Sequence, residues 1–202
     1  MQVNPKPKPF DKILLATHNK GKVAELKAML AAYGVDVTSA GEMSLPEPQE
    51  TESTFVGNAL IKARAAAKAT GLTVLADDSG LCVNALNGDP GVYTADWAGP
   101  SRDYLAAMTK VHEAIGHAID RSAYFVSVIG LVYPDGREEI FEGRCNGMIA
   151  WPPRGNGGHG YDPVFVPEGE TRTFAEMTLD EKAQYSHRAI AFDAMIKTVF
   201  KG

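Results

Sequence analysis

The chain has almost no cysteine: two residues in 202, Cys82 and Cys145. There is no Cys-x-x-Cys pair and no Cys/His spacing that would hold zinc, and both residues sit in apolar, strand-like runs. They read as buried free thiols in a reducing compartment, which excludes a disulfide framework. Long hydrophobic runs are missing too. The longest, Tyr124 to Tyr133, falls far short of the roughly 20 residues of a membrane span. MQVNPKPKPFD at the N-terminus lacks the apolar centre of a secretory signal. An excess of positive charge is absent: 20 Lys plus Arg stand against 25 Asp plus Glu, for a net charge of -5. A basic face tracking nucleic acid is thereby excluded, and any anion site must be local. The expectation is a cytoplasmic protein with neither membrane nor nucleic acid as partner. Several catalytic signatures are lacking as well. There is no G-x-x-x-x-G-K-[ST] and no G-x-S-x-G. His112-Glu113 to His117 spaces its imidazoles five apart, off one helical face, unlike a zinc protease.

What is present is a globular composition, 45% hydrophobic and 22% charged, able to bury a core. At about 150 residues per domain the length suits one domain of two lobes better than two domains. Residues 1–11 are expected to form a disordered arm and residues 12–202 a single two-lobed domain. KILLA (Lys12 to Ala16) reads as a buried strand, Gly21 to Tyr33 as a helix stopped by Gly34, and VDVTS as the next strand. A Pro- and Glu-bearing loop spans Gly41 to Thr51. An Ala-rich helix runs from Thr54 to Thr70, and TVLAD (Thr73 to Asp77) follows as a strand. Alternating strands and helices are an α/β signature. Further on, Ser101 to Gly116 reads as a helix. Two long β-rich runs flank Pro134-Asp135-Gly136, a hairpin and hence an antiparallel part of the sheet. PPRGNGGHGYDP is a Gly-rich loop too long for a plain connector, and an amphipathic helix begins near Ser186. The predicted class is α/β: an elongated mixed sheet flanked by helices, in two lobes with a central cleft.

Five groups of residues suggest chemistry. Thr17, His18, Asn19, Lys20, Gly21 and Lys22 lie between a strand and a helix, where backbone N–H groups and the helix dipole favour phosphate; an ordinary capped helix with solvated lysines explains them equally well. Asp77-Asp78-Ser79-Gly80 closes a buried strand; an Asp-Ser-Gly turn explains it, yet carboxylates there are costly unless something pairs with them. One carboxylate is expected to face the cleft and the other to turn aside, and adjacent carboxylates there can hold Mg²⁺ and position a water. On the Ala-rich helix Phe55, Asn58 and Lys62 share a face just after Glu50 and Glu52; a Lys there also reads as a snorkelling surface residue. Gly155 to Gly160 matches G-x-G-x-x-G, yet it is followed by Tyr161-Asp162-Pro163 and a strand rather than a helix, so it is no dinucleotide fingerprint. It presents His159, Tyr161 and Asp162 to stack on and hydrogen-bond a flat ligand. Glu181-Lys182 precedes Ser186, an N-cap that sets His187 and Arg188 in a helix's first turn, where cations oppose the dipole; a tolerated surface pair also explains them.

Taken together, ATHNKGKVAEL, the run from ETESTF to YTADWAG, GHGYDPVFVP and FAEMTLDEKAQYSHRA closely resemble the inosine triphosphate pyrophosphatase family, in order and over nearly the whole chain. The resemblance implies a homodimer and Mg²⁺-dependent hydrolysis of ITP, dITP and XTP to the monophosphate and pyrophosphate. It implies that Thr17 to Lys22 form the triphosphate loop, that Glu50 and Asp78 hold the metal, and that Asp78 is the general base. Ser79 and Lys62 resemble phosphate contacts. His159, Gly160, Tyr161, Asp162, Lys182, His187 and Arg188 resemble nucleotide-binding residues, the base lying on the Gly-rich loop. Two positions depart from the family pattern: His159, where many members carry Phe, and His18, where some carry Gly. The competing readings are a related pyrophosphatase for pyrimidine or modified nucleotides and a non-catalytic nucleotide-binding regulator. The second has no need of Glu50 and Asp78 beside the cations.

Overall fold

The structure, a computed structural model, describes residues 9–200. Most of the arm expected over residues 1–11 lies outside the described residues. At its end the Phe10 ring sits edge-on to Tyr133 and Phe200, and Asp11 accepts the Asp36 N–H through its carbonyl.

Short apolar runs set the first strands. KILL forms β1 (Lys12–Leu15), and DVTS forms β2 (Asp36–Ser39) parallel to it. Between them runs α1 (Lys20–Ala31), after which the chain turns at Gly34 with φ +64°. α2 (Phe55–Thr70) begins at Thr54, whose hydroxyl accepts the Gly57 N–H. It ends at Gly71 with φ +68°, a left-handed cap that glycine adopts without a Cβ penalty. Its buried face is Asn58, Ala59, Leu60, Lys62, Ala63 and Ala66, the spacing of one helical stripe.

β3 (Thr73–Val83) is longer than expected. It runs straight through Asp77-Asp78-Ser79-Gly80 instead of closing there. The neighbouring β1 pairs with it in parallel only as far as Leu15 with Leu75, so the carboxylates stand mid-strand where their neighbour ends. The placement beyond a strand's carboxyl end, anticipated for β3, is realised at β1.

α3 (Tyr104–Ile115) is capped by Asp103, which accepts the Ala106 N–H. β4 (Ser122–Val132) and β5 (Glu138–Ile149) are sheet neighbours joined at Pro134-Asp135-Gly136, where Tyr133 N–H meets the Arg137 carbonyl. β6 (Phe165–Pro167) pairs antiparallel with β5. α4 (Leu179–Ala183) and α5 (His187–Val199) follow. The six strands order as β2-β1-β3-β4-β5-β6. Parallel and antiparallel pairs together make the sheet mixed, and the fold is α/β.

Two compact units divide the chain. The first takes the chain up to Asp78, Val128–Phe141 and the chain from Phe192; the second takes Ser79–Ser127 and Glu142–Ala191. The core of the first gathers Leu14, Leu60, Ala63, Ala66, Val74 and Val132. That of the second is aromatic at its centre, with Phe125, Tyr161, Phe165 and Phe174 packed together with Met108, Val111 and Ile115 from α3. No described helix is long and apolar enough to cross a membrane.

Candidate functional site

In the first unit the turn from β1 into α1 is built by its own polar side chains. Thr17 Oγ1 accepts the Asn19 N–H, and Asn19 Oδ1 accepts the N–H groups of Gly21 and Lys22 at 2.9 and 3.2 Å. These helix N-terminal donors, expected to face an anion, are taken up by the cap. The turn offers cationic side chains instead. Lys20 is exposed, and the Lys22 ammonium lies 2.7 Å from Asp77 Oδ2. Among the described residues the non-glycine positions with positive φ are Ser44, Asn87 and Arg102, so the turn does not require glycine at His18.

Asp77 turns to a different lysine from Asp78. It is 5% exposed and fixes the lysine of the turn, while its neighbour Asp78, 8% exposed, faces a second lysine. The Lys62 ammonium stands 2.6 Å from Glu50 Oε1 and 4.0 Å from Asp78 Oδ1. At 9% exposure Lys62 is buried on α2, not a snorkelling surface residue: α2 packs that face on β3, and Glu50 arrives from the loop before the helix. Asn58, one turn earlier, is 2% exposed and accepts the Glu52 N–H at 3.0 Å; it orders the segment after Glu50. Successive residues of a strand point to opposite faces, so the two aspartates meet different lysines.

Glu50 and Asp78 offer hard carboxylate oxygens around one cation. Among the described residues no group of three or more His, Cys, Asp or Glu is arranged to hold a metal. Two carboxylates without a full protein cage are the donor set that suits Mg²⁺, which binds through one or two carboxylates together with substrate phosphates and water. The residues fit Mg²⁺ brought with a polyphosphate.

In the second unit Asp162, 3% exposed, organises the Gly-rich loop. Its Oδ2 accepts the His159 N–H at 2.7 Å and pairs with the Lys182 ammonium. A side chain at Gly158, φ +74°, would strike that same carboxylate. The His159 side chain is exposed on the loop. Tyr161 differs from expectation. It is 1% exposed, its hydroxyl donates to the Thr94 carbonyl at 3.0 Å, its ring meets Tyr104 edge-on, and burial pushes its phenol well up from the ordinary value. At this position the ring belongs to the core, so a ligand at the loop would meet backbone and the exposed His159 rather than the Tyr161 ring.

Lys182 rides on α4, an element the sequence reading did not foresee. Its signal was there: Thr178-x-x-Glu181 is a capping box, in which Thr178 accepts the Glu181 N–H and Glu181 accepts the Thr178 N–H. Arg172 holds Glu181 at 2.9 Å. The Thr178 N–H foremost, then Arg172, draw the Glu181 carboxyl down to about 2. His187 and Arg188 open α5. The His187 ring stacks on Phe125, 5.0 Å between centroids and 14° from parallel. Gly143 on β5 lets this turn approach, since a Cβ there would collide with the His187 carbonyl and the Ala191 amide. Ser79, half-buried, follows Asp78 directly on β3.

A family model matches residues 13–198, and its description is the Ham1 family. The chain belongs to the Ham1 family. Similar curated relatives are a dITP/XTP pyrophosphatase of Gluconobacter oxydans, 55% identical over 94% of this chain and 91% of that one, and a dITP/XTP pyrophosphatase of Ruegeria pomeroyi, 54% identical over 95% and 97%. Among solved structures a Ham1 protein from Coxiella burnetii is 41% identical, covers 96% of this chain and 100% of its own, and superposes with a TM-score of 0.91. The match spans both units, so the lysine–carboxylate pairs of the first and the Asp162–Lys182 loop of the second lie within one Ham1 chain.

Proposed function

We propose that this Ham1 protein is a dITP/XTP pyrophosphatase: a cytoplasmic, Mg²⁺-dependent enzyme that hydrolyses ITP, dITP and XTP to the monophosphate and pyrophosphate, with residues 12–202 as one catalytic domain. The identity of 54 to 55% with dITP/XTP pyrophosphatases across nearly their whole length carries the proposal. The geometry of the first unit supports it. Lys22 and Lys62 bring ammonium groups to one place, but Asp77, Asp78 and Glu50 offset them, so the positive field that a triphosphate of about four charges needs would come with the divalent cation. Thr17 and Asn19 to Lys22, with the His18 backbone between them, Lys62 and Ser79 are assigned to the phosphates, and Glu50 and Asp78 to the metal. Mg²⁺ bound there would neutralise phosphate charge as the leaving group departs.

Asp78 directs the water. The water oxygen forms a bond to the α-phosphorus while the bond from that phosphorus to the αβ-bridging oxygen breaks. The bridging oxygen leaves with pyrophosphate, and Asp78 accepts the water's proton. In the second unit, His159 to Asp162 with Lys182, His187 and Arg188 are assigned to the nucleoside. Arg188 has donors only. The O6 of hypoxanthine or xanthine accepts from it, whereas the amino group of adenine offers it no acceptor at that position. We assign a homodimer as the assembly; exposed Tyr93, Leu105 and Ile119 leave apolar surface in the second unit for such a contact. Incubation with Mg²⁺ and a panel of nucleoside triphosphates tests the function. Inosine monophosphate and pyrophosphate are the expected products from ITP. Inosine diphosphate and orthophosphate would overturn the assignment of the scissile bond.

A further inference from the structure

The His18 side chain does not join the cations of the phosphate turn. Its Nε2 lies 2.8 Å from the carbonyl oxygen of Leu45, 27 residues along the chain. A carbonyl only accepts, so Nε2 carries the proton and donates. The imidazole edge and Cα border Gly41, where an added Cβ would lie 3.7 Å from each. The ring is thus turned toward the 41–48 segment. That segment is fixed at its start by Ala40 N–H to the Leu15 carbonyl and by Leu45 N–H to the Ala40 carbonyl. Past Leu45 it runs Pro46-Glu47-Pro48-Gln49 into Glu50, and the two prolines have no N–H to donate. A cavity of about 20 Å³ is walled by His18, Leu45, Pro46, Glu47 and Lys62 together with small residues, so the tie and the Glu50 partner Lys62 border one space.

We propose that His18 is a positioning residue that locks the phosphate-binding turn to the segment delivering Glu50, so that the phosphate site and the metal carboxylate are held in one register through the His18–Leu45 hydrogen bond. It rests on the assignment of Glu50 and the turn made above. The bond uses Nε2–H, present in the charged ring and in one neutral tautomer. What the position requires is a donor at that reach, not an ionisable group.

Glutamine places an amide nitrogen the same number of bonds from Cβ, and phenylalanine keeps the ring without the donor. The test compares the parent with His18→Gln, His18→Phe and His18→Ala. At the usual net worth of one hydrogen bond, His18→Phe and His18→Ala should lower kcat/KM for ITP about two- to tenfold and raise the Mg²⁺ concentration for half-maximal rate by a similar factor, while His18→Gln stays within about twofold of the parent in both. Calorimetric binding of magnesium pyrophosphate, which needs no turnover, should weaken in the Phe and Ala variants and recover in the Gln variant. An unchanged Mg²⁺ response in His18→Phe overturns the tie even if KM rises, because that pattern marks a direct nucleotide contact; so does a Gln variant as impaired as Phe. If the parent releases no pyrophosphate from ITP while the calorimetric pattern holds, the tie stands and the substrate assignment fails.

Discussion

At the scale of single residues, Asp77 and Asp78 show how neighbours in one strand divide their work. Each faces its own lysine, so isosteric amides separate their roles. If Asp78 is the base and a metal ligand as proposed, Asp78→Asn removes both roles, and kcat should fall about 10² to 10⁴-fold, the range of general base catalysis, with the fold intact by circular dichroism. Asp77→Asn leaves Lys22 beside a neutral amide and should act mainly on KM for ITP, by roughly tenfold, at the cost of a charge-assisted hydrogen bond. Equal turnover by both variants and the parent would refute the site. Arg188 governs base choice in the same proposal. An unmade hydrogen bond to a charged group costs on the order of 1 to 3 kcal/mol, so Arg188→Met should cut kcat/KM for ITP about ten- to a hundredfold and ATP much less. An unchanged ITP to ATP ratio would remove Arg188 from base recognition. His187, stacked on Phe125, has its ring fixed by the core at the same turn.

At the scale of elements, close approach and capping hold the second unit's residues in place. α5 begins over Gly143, where any Cβ meets the His187 carbonyl and the Ala191 amide. Gly143→Ala must push the first turn of α5 outward. Overpacking of this kind costs about 1 to 3 kcal/mol, which should lower Tm by several degrees in a chain of this size. The same shift should lower the ITP to ATP ratio, since Arg188 moves with the turn; a thermal scan and the two kcat/KM values check both. α4 depends on Glu181, whose folded-state carboxyl sits near about 2 against an ordinary value of 4.5. A group lowered by folding contributes stability in full above its unfolded value and loses it as pH falls toward the folded one. Thermal unfolding of the parent and Glu181→Gln should therefore differ most above pH 5 and converge as pH falls from about 4.5 toward about 2. A difference constant with pH would show that the ionised carboxylate does not hold this cap.

At the scale of the whole molecule, the two cysteines are a check on the fold. Burial pushes the Cys82 thiol up and Cys145 to about 11, and reactivity follows the thiolate. Neither should react with a thiol reagent at pH 7 until the protein is unfolded, when both titrate; a fast thiol in the native protein would contradict their burial. Much of this molecule was legible in its sequence. KILL, DVTS and the Ala-rich run ending at Gly71 read as strands and helix because apolar period, cap residues and left-handed glycine are local properties, and the mixed α/β class followed from their alternation. α4 was legible in principle through Thr178 and Glu181 but is only five residues long, too short for periodicity to register. What only the tertiary structure decided is where each charge ended. The length of β3 placed Asp77 and Asp78 mid-strand, past the last pairing with β1. The burial of α2 made Lys62 a partner of Glu50, and the second unit's core claimed Tyr161. Spacing along a chain determines which residues share a face, but the partner of a buried ammonium or phenol comes from another element. That pairing is set by packing, which no local pattern encodes.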